Sequence, residues 1–302
     1  MQVAKPPKEA SRDDQFRELM DSLRNKEIEL SYTSISEFLK SPRHFIRYKL
    51  KEKVETDRMR LGNIFHKSLL EPIAFDSTYI PEPNVEMPSS KNQAKYCELV
   101  AGGMSHDEAL DACYKSKPKD HQKFPETFAA WIEFISTDLN GKEILPRKDY
   151  DMIIRLRDAV LKNPASRSIY NEIEQTEKGI KFEAFGFKWR GFIDGFSQSL
   201  IMDLKWYSAG VDERTMRNAI MYNGLGLQAS LYTFGPKNPQ PYFVVAVDNG
   251  GNVSVTEVSQ ATRKANWADL EYYMSRFRTC INLNQFNQSY DFWADRNGIY
   301  KV

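Results

Sequence analysis

The 302-residue chain contains no apolar run approaching the roughly 20 residues that a membrane span requires. Its opening stretch, MQVAKPPKEASRDD, is polar and lacks the apolar core of a secretory signal. Cysteine is scarce: Cys97, Cys113 and Cys280 are odd in number and far apart, which points to neither a disulfide framework nor a thiolate metal site. An excess of one charge is missing too. The 42 basic residues nearly cancel the 41 acidic ones, so no global field advertises nucleic acid or a membrane, and any basic surface must be local. There is no internal repeat and no low-complexity segment. These absences set the expectation of a chain in a reducing cytoplasm with no membrane partner.

What is present is ample core. A hydrophobic content of 41% over this length allows one large domain or two small ones. Residues 1–27, charged and punctuated by proline, are expected to be a flexible or loosely docked leader. Residues 28–302 read as a single α/β domain, with a helical insertion over about 76–165 and a core over about 170–280. Short helices are expected from Ser34, from Ser41-Pro42 and through Leu61–Leu70, then a proline-punctuated loop over 76–90. Ser90 with Gln93, and Ser105 with Glu108, are spaced as capping boxes on two helices separated by Gly102-Gly103. Helices around Pro125–Leu139 and Lys148–Asn163 follow. The periodicity then changes to strands over Lys178–Phe185, Phe187–Phe196 and Leu200–Tyr207. A helix over Asp212–Phe234 leads to strands Tyr242–Val247 and Asn252–Val258 around a hairpin turn at Asp248–Gly251, and a helix over Thr262–Cys280.

The segment from Arg190 to Lys205 carries the chemistry. If its strands turn at Gln198-Ser199, Asp194 falls opposite Asp203, and like charges opposed across a strand pair destabilise a sheet. Such a pair needs a cation, or one carboxyl must hold a proton. Alternation puts Lys205 on the face of Asp203. Two carboxylates and an ammonium on one patch suit Mg2+, which completes its shell with water and substrate phosphate. A surface hairpin whose lysine screens two aspartates is the competing reading. His66, four residues after Gly62, shares its helix face and could be a metal ligand or a packing residue. Gln228 and Tyr232, also four apart, could orient Lys205, contact phosphate, or form a polar helix–sheet boundary.

In order along the chain, Gly62-x-x-x-His66, Gly191-x-Ile193-Asp194, Asp203-x-Lys205 and Gln228-x-x-x-Tyr232 resemble the RecB-like branch of the PD-(D/E)XK nucleases. Within that branch the chain is most similar to the phage-type and RecE-type exodeoxyribonucleases. The likeness also takes in Ser31-Tyr32-Thr33-Ser34, Leu61–His66 running into Leu70-Glu71-Pro72, and Ala159-Val160 with Asn163-Pro164. It implies a restriction-endonuclease-like core, a mixed sheet of about five strands flanked by helices. It implies that His66, Asp194, Asp203 and the Leu204 carbonyl bind Mg2+, with Mn2+ as the alternative, and that Lys205, Gln228 and Tyr232 join Asp194 and Asp203 in catalysis. A further family glutamate is either Glu177 or Glu183, of which Glu177 lies closer to the family's usual spacing. The implied activity is 5′→3′ resection of linear duplex DNA in a bacterial or phage-infected cell. Its implied partners are DNA ends, a homo-oligomeric ring, and an annealing protein or recombinase. The alternatives are a structure- or sequence-specific endonuclease and a silent DNA-binding or assembly protein.

Two departures from the family pattern matter. Ser41 stands before Pro42 where iron–sulfur relatives carry cysteine, so no cluster is expected. Trp206-Tyr207 replace small hydroxyl residues after the lysine; Trp206 could stack on a base or pack beneath a helix. Arg43, Arg47 and Lys51, four apart, and Arg214 with Arg217 are the candidate phosphate contacts.

Overall fold

The computed structural model describes residues 11–50, 55–83, 88–114, 131–134 and 141–294. The chain divides into two compact units, one made of residues 1–70 with 155–302 and the other of 71–154. The second overlaps the segment read from sequence as an insertion. Lys51 and most of the helix expected around Pro125–Leu139 lie outside the described residues.

In chain order the first unit begins with α1 (Arg12–Arg24), β1 (Glu29–Leu30), α2 (Tyr32–Lys40), α3 (Pro42–Lys49) and α4 (Asp57–Leu70). Residues 12–24 are therefore not the flexible or loosely docked leader expected for 1–27. Ser11 caps the helix, and Met20 and Leu23 are buried in the main core with Phe277. The polar composition hid an apolar stripe that Phe16 and Leu19 complete.

The second unit holds α5 (Pro72–Thr78), β2 (Tyr79–Pro81), α6 (Ser90–Ala101), α7 (His106–Tyr114) and β3 (Glu143–Leu145), with α8 (Arg147–Lys162) running across the division. β2, inside the loop expected over 76–90, pairs in parallel with β3, which lies between two expected helices. Ser89, one residue earlier than expected, caps α6, whereas Ser105 and Glu108 do form a reciprocal pair before α7. Tyr96, Ala109, Cys113 and Trp131 form a small core there.

The first unit resumes with α9 (Pro164–Asn171), β4 (Gln175–Ala184), β5 (Phe187–Phe196), β6 (Ile201–Tyr207), α10 (Glu213–Met221), α11 (Leu225–Phe234), β7 (Tyr242–Asp248), β8 (Val253–Val258) and α12 (Gln260–Asn282). The expected single helix over Asp212–Phe234 is thus two, broken where Gly224 adopts φ 91°. Six strands make one mixed sheet ordered β1-β5-β6-β7-β8, with β4 on the other edge of β5. β6 and β7 are parallel, as their helical crossover requires, and the continuous apolar run of β7 is buried along nearly its whole length. The fold is α/β, a mixed sheet flanked by helices.

One feature of this sheet creates the site. β5 pairs with β6 only at Gly195–Met202 and Phe196–Ile201. Beyond those pairs the strands part, and Asp194 and Asp203, next in register, stand in the cleft.

Candidate active site

In that cleft the Asp194 side chain replaces a missing ladder bond: its Oδ2 accepts the Leu204 backbone N–H at 2.7 Å. Asp203, 3% exposed, receives Lys205 and Gln228. The Lys205 ammonium lies 2.7 Å from each Asp203 oxygen, but only the approach to Oδ1 has hydrogen-bond geometry. Gln228 Nε2 donates to the same Oδ1 at 2.8 Å. Oδ2 is buried and accepts no hydrogen bond. From α4, His66 brings Nδ1 to 3.7 Å from Asp194 Oδ2.

Glu177 completes the group. Ligand atoms of His66, Glu177 and Asp194 all lie within 4.8 Å of one another, so these three can hold a metal ion. Asp203 stands beside that trio. Glu177 has φ 48°, a left-handed conformation that costs a non-glycine residue about 1–2 kcal/mol, and such strain collects at functional sites. Glu183, by contrast, is exposed at the far end of β4, in register with Lys188.

Electrostatics favour a cation here. Three carboxylates face one ammonium, and the imidazole does not help. Burial, and then the Lys205 charge, push the His66 pKa down to about 4, so the ring is neutral at pH 7 with a lone pair to offer. Burial pushes the carboxyls of Asp194 and Asp203 up against the pull of Lys205. Burial alone would lower Lys205, but Asp203 and Asp194 outweigh it and hold the ammonium above its ordinary range. A donor set of one neutral imidazole and carboxylate oxygens, with a buried oxygen that accepts no hydrogen bond, fits a divalent ion.

No protein-family model matches the chain, and no curated protein matches it. Among solved structures it resembles one from Eubacterium rectale, provisionally described as an exonuclease. The two share 14% identity at a TM-score of 0.47, over 91% of this chain and 87% of that one. So distant a likeness leaves function to be argued from the site.

The other residues singled out from sequence are scattered over the fold. Tyr232 is buried, its hydroxyl 2.8 Å from where a side chain on Gly191 would begin. Trp206 sets its ring edge-on to Phe65 and donates from Nε1 to Asn249 Oδ1 at 2.8 Å, contacts that pack it against its own fold. Arg43 and Arg47 are exposed on α3 and border a cleft of about 540 Å³ with Arg12, Phe16 and Phe286, which shares no residue with the carboxylate pair. Arg214 and Arg217 are exposed on α10, Arg217 paired with Glu213 at 2.7 Å. Ser41 caps α3 and bonds His44 Nδ1 at 2.7 Å.

Sequence reasoning passed over Tyr32, although it stood in a quoted motif. Its hydroxyl donates to the Gly224 carbonyl at 2.8 Å and so ties α2 to the start of α11, the helix that aims Gln228. Gly224→Ala is expected to cost about 2–4 kcal/mol, because a Cβ there collides with the Tyr32 hydroxyl in a backbone conformation alanine resists. The urea midpoint measures the loss. A turnover deficit at full folding would follow from the displaced Gln228.

Among the described residues, no helix is long and apolar enough to cross a membrane.

Proposed function

We propose that the protein is a metal-dependent deoxyribonuclease that hydrolyses phosphodiester bonds at the ends of linear duplex DNA, resecting 5′→3′ for recombination or single-strand annealing. The observation that carries this reading is the convergence of the His66–Glu177–Asp194 ligand group on the buried Asp203–Lys205–Gln228 chain. A divalent ion, Mg2+ or Mn2+, held by that group with Asp203 and the Leu204 carbonyl, would polarise the scissile phosphate and make a bound water acidic.

The protein's own groups do the rest. Lys205 presents a fixed positive charge to the phosphoryl oxygens, where negative charge grows in the transition state. Asp203 keeps that lysine protonated and in place, and Gln228 fixes Asp203 in turn. The neutral His66 ring adds a ligand without adding repulsion. A homo-oligomer enclosing the duplex, and an annealing protein that takes the exposed strand, complete the reading.

The test is digestion of linear and covalently closed duplex DNA in Mg2+, Mn2+ or EDTA by the parent, Asp203→Ala and Lys205→Ala. Loss of linear DNA alone, with end-labelled strands shortened from their 5′ ends and the reaction stopped by EDTA and both substitutions, is the expected result. Cutting of closed circles would replace the exonuclease with an endonuclease. Intact DNA of both kinds with well-folded parent protein would mean the core binds without turnover.

A further inference from the structure

The site does not end at Asp194. Along the β4–β5 ladder, Gly179 pairs with Phe192, Lys181 with Arg190 and Glu183 with Lys188, and cross-strand partners share a face. All six are exposed, while Ile180, Trp189 and Ile193, which alternate with them, are buried in the main core. Glu177 and Asp194 occupy the next step of the same row. An open sheet face therefore runs from the metal-ligand group outward, about 7 Å per pair of residues.

Its composition is not that of an ordinary solvated face. Phe192 is 62% exposed, and its ring lies over Gly179, 3.6 Å from where a side chain there would begin. Beyond it Lys181 and Arg190 flank Glu29 at 3.0 and 3.8 Å with side chains 76% and 64% exposed. Lys188 adds a third positive charge beside Glu29, with Glu183 as its cross-strand partner. Lys49 reaches the same place from α3, its ammonium donating to the Glu29 carbonyl at 3.1 Å. A flat aromatic followed by exposed cations matches a chain of bases and phosphates.

We infer that this face is the track by which a single DNA strand reaches the ligand group, one base stacked on Phe192 and the phosphates beyond it held by Arg190 and Lys181. The inference rests on the nuclease reading for its destination, but binding and cleavage can fail separately.

The experiment measures binding of labelled oligothymidylate to the full-length protein in EDTA, which stops turnover, alongside cleavage in Mg2+. Phe192→Ala should weaken binding about tenfold with an unchanged urea midpoint, and Phe192→Trp should restore it with indole fluorescence quenched by the strand. Arg190→Ala should reduce the slope of log affinity against log salt by about 0.7. If Phe192→Ala and Arg190→Ala bind as the parent does, with its salt slope, the ring merely shields Gly179 and the track is wrong, whatever the cleavage assay shows. Binding that depends on Phe192 in a parent that cuts nothing would keep the track and remove the nuclease. A parent that neither binds nor cuts removes both.

Discussion

Lys205→Met is expected to lose turnover and folding stability together. The ammonium is the cation that two buried carboxyls share, and removing one partner of a buried pair costs about 3–5 kcal/mol. Asp203 would keep only the Gln228 amide. Turnover should fall by about 10²–10³-fold or more, the usual loss when a preorganised charge is taken from a transition state. Urea unfolding in EDTA reads the first effect, and the rate on linear duplex at equal folded fraction reads the second. Mg2+ should return part of the lost stability, since it supplies the missing charge. The double variant Lys205→Met/Asp203→Asn should recover much of it without metal, a coupling that a thermodynamic cycle measures. A single variant as stable as the parent in EDTA would show that Asp203 does not depend on the lysine.

Asp194→Asn should abolish turnover while making the metal-free protein more stable. The amide oxygen still accepts the Leu204 N–H, so the strand junction survives, but a buried negative charge is gone. Because folding raises the carboxyl pKa of Asp194, the stability it contributes is fully present below about pH 4 and is lost as pH rises through the folded value. In EDTA the variant should therefore gain on the parent between acid and neutral pH. In Mg2+ the order reverses: an ion at a hundred times its dissociation constant adds about 2.7 kcal/mol to the parent and little to the variant. Melting curves across pH with and without Mg2+ decide the matter. A parent that melts identically in both would have no ion-binding group at Asp194.

The hairpin register was readable because turn residues and strand alternation are local signals. The ends of β5 follow from its flanking turns, and the pairing of Phe196 with Ile201 carries Asp194 towards Asp203. What local pattern could not supply is the parting of β5 and β6, a tertiary event that turns two opposed aspartates into a cleft. Family spacing leaned towards Glu177 over Glu183, but strand alternation does not separate them. Both alternate on the same face of β4, and only the distance to α4 separates them. The break at Gly224 was visible as a glycine but not as a stop, since the Tyr32 hydroxyl that holds its carbonyl lies 192 residues away. α1 was missed because its charged residues dominate composition, whereas four apolar residues decide its docking. The open face with Phe192 was missed for the opposite reason: an isolated phenylalanine in a strand reads as core until exposure is known.

The left-handed backbone at Glu177 has a practical consequence for engineering. Glycine is the residue that conformation prefers, so a screen scored on heat resistance or expression yield would enrich Glu177→Gly. Every such winner would have surrendered one of the three side chains placed to hold a metal ion. Laboratory evolution of this protein for robustness needs catalysis in the selection itself, because at this position the improved fold and the working molecule are different sequences.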